Sequence, residues 1–291
     1  MSISDVTTLN KEGGIDAEGN KIQLLHGNCL ELMKEISDKS IDMILCDLPY
    51  GQTRCDWDIP IDMESLWNQY KRIIKDHGAI LLFSAQPFTT DLICSNRRMF
   101  RYEIIWEKTQ KTGFYNANKM PLKGHENILV FYKKIPTYHP IKRKISELEA
   151  EIRGVNIGKT RQKKADRCVL YGHVDAQDYT DDGTRYPHDV IHFSNWNGAL
   201  FGNLNKVTKH PTQKPIPLLE YLIKTYTNEG DIVLDNCMGS GSTGVACVNL
   251  NRDFIGMELK QEYFNIAKER IHKAQTEPKQ ITFEIEEQEH E

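Results

Sequence analysis

The stretch Ile41-Asp42-Met43-Ile44-Leu45-Cys46-Asp47-Leu48-Pro49-Tyr50-Gly51 constrains this chain most. A short apolar run reads as a buried strand, and it stops at an acid, a proline, an aromatic ring and a glycine. Pro49 has no N–H for a neighbouring strand, so the ladder ends there. Asp47 to Tyr50 then sit at the C-terminal end of the strand, where open α/β sheets place their chemistry. The flanking pattern agrees. Ile22 to Leu25 is a short strand, and Leu30, Met33 and Ile36 fall at helical spacing. Leu66, Tyr70, Ile73 and Ile74 mark a helix expected to stop at His77-Gly78, and Ala79 to Phe83 is the next buried strand. Strand, helix, strand, helix, strand is the order of a parallel doubly wound sheet. Tyr102 to Trp106 and Asn127 to Tyr132 read as further strands, with the aromatic loop Gly113-Phe114-Tyr115-Asn116 between them.

A second constellation follows late in the chain. Leu219, Leu222, Ile223 and Tyr226 give a helix face, with Gly230 expected as its C-cap. Ile232-Val233-Leu234-Asp235 is a strand, Asn236 to Gly241 a glycine-rich turn, Ser242 to Leu250 a helix and Phe254 to Glu258 a strand. Tyr263, Ile266, Ala267, Arg270 and Ile271 mark the last helix. Glycines let backbone approach a ligand, and a helix N-terminus offers unpaired N–H groups. Glu258, 23 residues after Asp235, ends the next strand, where a carboxylate can hold two ribose hydroxyls. A nucleoside-type ligand follows. The spacing is neither G-x-G-x-x-G nor G-x-x-x-x-G-K-[ST], which disfavours a dinucleotide and excludes a P-loop.

Both constellations resemble one family. Asp47-Leu48-Pro49-Tyr50 is similar to the D-P-P-Y motif of the amino-methyltransferases that modify exocyclic nitrogens of DNA bases. Asp235-Asn236-Cys237-Met238-Gly239-Ser240-Gly241-Ser242-Thr243 resembles their D-P-F-x-G-S-G-T-T motif for S-adenosylmethionine, with Asn236-Cys237 departing from Pro-Phe and Gly27-Asn28 from the usual G-D. His210-Pro211-Thr212-Gln213-Lys214-Pro215, Trp106-Glu107-Lys108, Gly113-Phe114 and His125-Glu126-Asn127 match further family blocks. Catalytic motif first, variable insert next and cofactor loop last is the order of the β class.

The resemblance implies a doubly wound, mostly parallel, Rossmann-like α/β sheet, circularly permuted, with an inserted target-recognition region. The expected divisions are a loose lead-in at 1–20, a catalytic half at 21–134, the insert at 135–205, a cofactor half at 206–275, and an edge strand (Ile281 to Ile285) with an acidic tail at 276–291. It implies methyl transfer from S-adenosylmethionine to a flipped-out base. Asp47 and the Leu48 carbonyl would accept the amine hydrogens, Pro49 would stiffen the turn and Tyr50 would stack on the base. Asp at the first motif position points to adenine N6; Ser would point to cytosine N4. For the cofactor it places Asp235 at the methionyl amine and Ser242, Thr243 and Lys214 at the carboxylate. Glu258 falls at the ribose and Asn28-Cys29 at the adenine, with Asp47, Cys237, Gly239 and Gly241 also in the site. The residues carry plainer readings too: Thr212 and Ser242 as helix N-caps, Lys214 as a solvated lysine, and Cys46 and Phe83 as core.

Charge fits this outline. The chain has a net charge of −4, yet Lys133 to Leu170 holds eleven Lys/Arg against four Asp/Glu. That block, with Lys159, Arg161, Lys163 and Lys164, suits phosphate contact with double-stranded DNA. Tyr138, Tyr171, Tyr179, Tyr186 and Trp196 suit base reading or a small core of the insert's own. Seven scattered cysteines without C-x-x-C point to reduced thiols and no zinc. No apolar run reaches the ~20 residues of a membrane span, and no basic-then-apolar leader opens the chain. The expected setting is the cytoplasm of a bacterial or phage-infected cell. The resemblance admits a homodimer and a cognate restriction endonuclease as partners. Rival readings are an N4-cytosine enzyme, an RNA methyltransferase of the same fold and an inactive DNA-binding relative. A nicotinamide oxidoreductase is disfavoured by the glycine spacing.

Overall fold

The computed structural model describes residues 11–15, 19–51, 58–162, 166–168, 172–174, 178–195 and 213–277. They divide into two compact units, Met1–His139 with Asp189–Phe283, and a second formed by Pro140–His188.

The first unit is built on a nine-stranded sheet. Its strands are β1 (Lys11–Ile15), β2 (Lys21–His26), β3 (Ile41–Cys46), β4 (Ile74–Ser84), β5 (Phe100–Thr112), β6 (Lys123–Phe131), β7 (Val190–Phe193), β8 (Ile232–Asp235) and β9 (Asp253–Glu258). The spatial order is β1-β2-β9-β8-β3-β4-β6-β5-β7. From β2 through β9, β8 and β3 to β4, every neighbour is parallel. β6 is antiparallel to β4 and to β5, and β1 to β2.

The helices are α1 (Cys29–Leu32), α2 (Met63–Ile73), α3 (Phe88–Ser95), α4 (Ile216–Tyr226), α5 (Ser242–Asn249) and α6 (Gln261–Thr276). Successive strand residues point to opposite faces. Met43 and Leu45 therefore join Leu218, Leu222, Val245, Ala246 and Ile271 from α4, α5 and α6 in one apolar layer. Ile44 and Cys46 join Leu66, Trp67, Tyr70 and Leu92 from α2 and α3 in the other. Both faces of the central strands are covered, which is why Met43 to Leu45 are fully buried. Cys46, at 1% exposure, is core.

Several sequence expectations shift. The helix ends at Ile73, not at His77-Gly78, because Ile74 is extended (φ −71°, ψ 135°) and pairs with Ile41. Gly78 lies inside β4, where a Cβ would meet the Asp42 carbonyl oxygen at 2.7 Å. Helix α4 is capped by Thr227, while Gly230 (φ +78°) turns the chain into β8. Lys11–Ile15, within the expected loose lead-in, is an edge strand. Val190–Phe193, within the expected insert, pairs parallel with β5. The edge strand at 281–285 and the acidic tail lie outside the described residues. Among the described residues, no helix is long and apolar enough to cross a membrane.

The second unit holds a helix at Glu147–Ile152, capped by Ser146, and short antiparallel ribbons. Much of its described positive charge is matched internally. Arg143 grips Glu149 at 2.6 and 2.8 Å. Arg153 joins the same carboxylate, Arg185 pairs with Asp181 and Lys142 with Asp182. The Arg143 bond holds the Glu149 carboxyl below the usual range. Lys159 is exposed. The Arg161 side chain and Lys163, Lys164, Tyr171 and Trp196 lie outside the described residues, as does the Tyr179 side chain.

Candidate active site

Strands β3 and β8 are parallel neighbours, with Met43 opposite Val233 and Ile44 opposite Leu234. The connection from β3 leads to β4 on one side, and that from β8 leads to β9 on the other. The pair is thus the point where the winding reverses, and a crevice opens past its carboxyl ends. A cavity of about 320 Å³ lies there. Asp47 and Leu48 line it from β3, Asp235 to Ser240 from β8, and Glu258 from β9. Gly27 to Leu30, Pro49, Phe83, Gln213, Lys214, Ser242 and Thr243 also line it.

Around Asp47 the structure builds a chain of charged bonds. The Tyr50 hydroxyl donates to Asp47 Oδ1 at 2.8 Å. The Lys214 ammonium donates to Asp47 Oδ2 at 2.5 Å and lies 3.3 Å from Glu126 Oε2. Glu126 Oε1 accepts from Lys108. Burial pushes the Lys214 pKa down, but Asp47 and Glu126 outweigh it and hold it above the ordinary lysine value. Burial likewise pushes Glu126 up, and Lys214 with Lys108 bring it below the ordinary range. Lys214 is therefore no solvated lysine. Its side chain is 10% exposed and its ammonium sits 5.0 Å above the Phe83 ring. Phe83 is core and cavity wall at once. The Tyr50 ring stacks on Phe88 with centroids 4.9 Å apart and does not line the cavity. Gly51 (φ +66°) turns the chain away; its N–H donates to Asp58.

The turn after β8 is tied from within. Asp235 accepts the Thr243 hydroxyl at 2.6 Å and the Cys237 N–H at 3.1 Å. Burial still pushes its carboxyl up to about 6. Glu258 accepts the N–H of Gly239 at 2.9 Å and of Lys260 at 2.8 Å, and burial raises it too. A carboxylate has about four lone-pair positions, so each acid keeps acceptor capacity. The Asn28 side chain caps α1 through the Leu30 N–H. Gly241 (φ +78°) caps α5 and does not line the cavity; a Cβ there would meet the Ala267 Cβ at 2.8 Å. Ser242 is the first residue of α5 rather than its cap. Burial pushes the Cys46 thiol up to about 12. Cys29 and Cys237 are also raised, Cys29 first by its bond with Cys237 and then by burial. All three stay protonated at neutral pH, so none is an activated nucleophile.

Sequence reasoning gave no role to four residues that hold this site. The Tyr70 hydroxyl donates to Asn236 Oδ1 at 2.5 Å in the core, so the departure from Pro at 236 has its own partner. The Arg270 guanidinium donates to the Ser240 carbonyl and hydroxyl. Lys108 and Glu126 extend the network of Asp47. Each stands next to other polar residues of its element, so no local pattern set it apart. Thr212 lies outside the described residues.

The donor set fits a ligand that carries both an ammonium group and a ribose diol. Two buried carboxylates, Asp235 and Glu258, end adjacent strands, and Gly239 brings backbone between them.

Comparisons with known proteins agree. A family model described as DNA methylase, N6_N4_Mtase, matches residues 41–269. Type II methyltransferase M1.MboII of Moraxella bovis is 29% identical over 265 residues, spanning 86% of this chain and 95% of that protein. DNA adenine methyltransferase YhdJ of Escherichia coli (strain K12) is 25% identical over 272 residues, spanning 87% and 84%. The crystal structure of the M1.HpyAVI–SAM complex aligns with a TM-score of 0.56 at 25% identity, covering 86% of this chain and 98% of that one. The cytosine-N4-specific PvuII DNA methyltransferase shares the fold, with a TM-score of 0.58 at 17% identity over 91% and 95%.

Proposed function

The chain belongs to the S-adenosylmethionine-dependent DNA amino-methyltransferases, and from that premise we propose that it methylates the exocyclic N6 of an adenine flipped out of double-stranded DNA. The observation that carries the reading is the meeting of Asp47 and Asp235 around one cavity, at the ends of paired strands. Asp at the head of the tetrapeptide and similarity to a DNA adenine methyltransferase support N6 over N4.

An exocyclic amine is a poor nucleophile because its lone pair is conjugated with the ring. In this reading Asp47 and the Leu48 carbonyl accept its two hydrogens. That favours a pyramidal nitrogen and stabilises the positive charge developing there. Lys214 and Tyr50 fix the Asp47 carboxylate beforehand, so little reorganisation accompanies the reaction. Tyr50, stacked on Phe88 and outside the cavity wall, serves here by holding Asp47 through its hydroxyl rather than by lying on the base. Pro49 lines the cavity and stiffens the turn. The amine lies inside a duplex stack until the base swings out, so flipping belongs to the proposal.

S-adenosylmethionine, when bound, supplies a methyl group activated by its sulfonium. Asp235 would take its ammonium, Glu258 its ribose, Asn28 and Cys29 its adenine, and Ser242 and Thr243 its carboxylate, beside Gly239 and Cys237. Lys214, seated on Asp47 and Glu126, serves the catalytic acid instead. Residues 135–205, with Lys159, would carry the target-recognition surface.

The test is incorporation of labelled methyl from S-adenosylmethionine into unmethylated duplex DNA, followed by nucleoside analysis. N6-methyladenine is expected. N4-methylcytosine would overturn the base assignment, and methyl transfer confined to RNA would overturn the substrate.

A further inference from the structure

We propose that the tip of the β5–β6 hairpin is a second DNA-contacting element, with Phe114 and Tyr115 stacking on bases beside the target and Lys119 and Lys123 meeting the flanking phosphates. The proposal rests on the reading that DNA is the substrate.

The tip is apolar where it should be polar. Phe114 is 69% exposed, Tyr115 104% and Met120 53%. Three large apolar side chains on one surface turn need an explanation. They are held by an ordered turn. Gly113 (φ +94°) opens a short 3-10 helix at Phe114–Asn116, and the N–H groups of Lys119 and Met120 bond back to the Asn116 carbonyl. Between Lys108 and His125 the sequence holds Lys108, Lys111, Lys119 and Lys123 and no Asp or Glu. Lys108 is buried against Glu126, and Lys111 pairs at the surface with Glu107. Rings interleaved with lysines, free of acids, suit a polyanion with π-faces.

Cys46 of β3 lies opposite Leu82 of the parallel β4, and Ser84 of β4 lies opposite Asn127 of the antiparallel β6. The start of β6 is thus at the same edge of the sheet as Asp47. Glu126 touches the Lys214 that holds Asp47, and Lys123 stands three residues further out, roughly 10 Å at ~3.3 Å per residue. The tip extends beyond that, placed to meet the duplex beside a base seated at Asp47.

The test compares the unmodified enzyme with a Phe114→Ala, Tyr115→Ala double variant, using methyl incorporation into unmethylated plasmid DNA. Loss of stacking should raise KM for DNA on the order of 10-fold or more, with cofactor affinity and Tm unchanged because neither ring is in the core. Tyr115→Trp should keep the low KM, and its added fluorescence should be quenched by DNA. Lys119→Gln with Lys123→Gln should flatten the salt dependence of DNA binding by roughly 1.8 in slope. An unchanged KM in the double variant, with the unmodified enzyme active, overturns the hairpin proposal alone. So does a changed oligomeric state with unchanged KM, which would put the rings between two copies of the chain. An unmodified enzyme that binds cofactor but methylates no DNA overturns the substrate reading and this proposal with it.

Discussion

The Lys214 ammonium lies 2.5 Å from Asp47 Oδ2, joining a residue just before α4 to the acid that follows β3. With Glu126 and Lys108 it forms a largely buried group of two cations and two anions that reaches the cavity wall at Asp47 and Lys214.

Replacing Asp47 by alanine should lower methyl transfer by about 10²- to 10³-fold or more, the scale of losing a transition-state acceptor. Cofactor binding, measured by calorimetry, should be largely intact because Asp235 and Glu258 are untouched. Retained activity would show that another group receives the amine hydrogens.

Glu126→Gln should cost about 3–5 kcal/mol in urea unfolding, since it strands Lys108 and half-strands Lys214. The pH dependence follows from the two shifts. Glu126 is lowered, so its contribution is present above the ordinary glutamate range and is lost as pH falls through its lowered value. Lys214 is raised, so its contribution is complete below the ordinary lysine value and is lost as pH rises through the raised one. The variant should show a flatter acid limb; an acid limb matching the unmodified protein would mean that Glu126 is not ionised in the fold.

Asp235 gives a different sign. Its carboxyl is raised to about 6, so the folded state favours the protonated form. Its effect on stability weakens as pH rises from 3.8 through about 6. An ammonium ligand needs the ionised form. Affinity for S-adenosylmethionine should therefore climb between about pH 5 and 7 and level off above. Asp235→Asn should bind weakly at every pH, and a titration with the same pH slope in both proteins would remove Asp235 from the ammonium site.

Tyr70→Phe deletes a single oxygen and leaves Asn236 Oδ1 buried without its donor. The expected loss is about 1–3 kcal/mol of stability, read as a lower Tm, with weaker cofactor binding because the turn after β8 loses its tie to α2. A variant with unchanged Tm would show that water replaces the phenol.

The strand ends were legible because the rule is local: apolar runs that stop at an acid and a Pro or Gly. Asp47 and Asp235 are both found that way. What joins them was not legible, because bonds such as Lys214 to Asp47 or Tyr70 to Asn236 span about 166 or 167 positions. Local periodicity also misplaced the end of α2. Ile73 and Ile74 suit a helix and a strand equally, and pairing of Ile74 with Ile41 decides between them. The basic block shows a similar limit, since composition counts Arg143 and Arg153 as free charge while the fold spends both on Glu149.

The placement of β8 and β9 between β2 and β3 has a consequence for synthesis. The Ile232 N–H donates to Asp42, 190 positions earlier. A nascent chain that has emerged only as far as α4 lacks the two strands that join β2 to β3. The facing edges of β2 and β3 are then unpaired, templates for wrong pairing. Only with β8, α5 and β9 can the two parts join in one sheet, with the catalytic crevice at their strand ends. Truncated products ending before β8 would carry Asp47 but no site, and would present two sticky edges to chaperones and proteases. Active enzyme in the cell would then report on completed translation rather than on the first half of the fold.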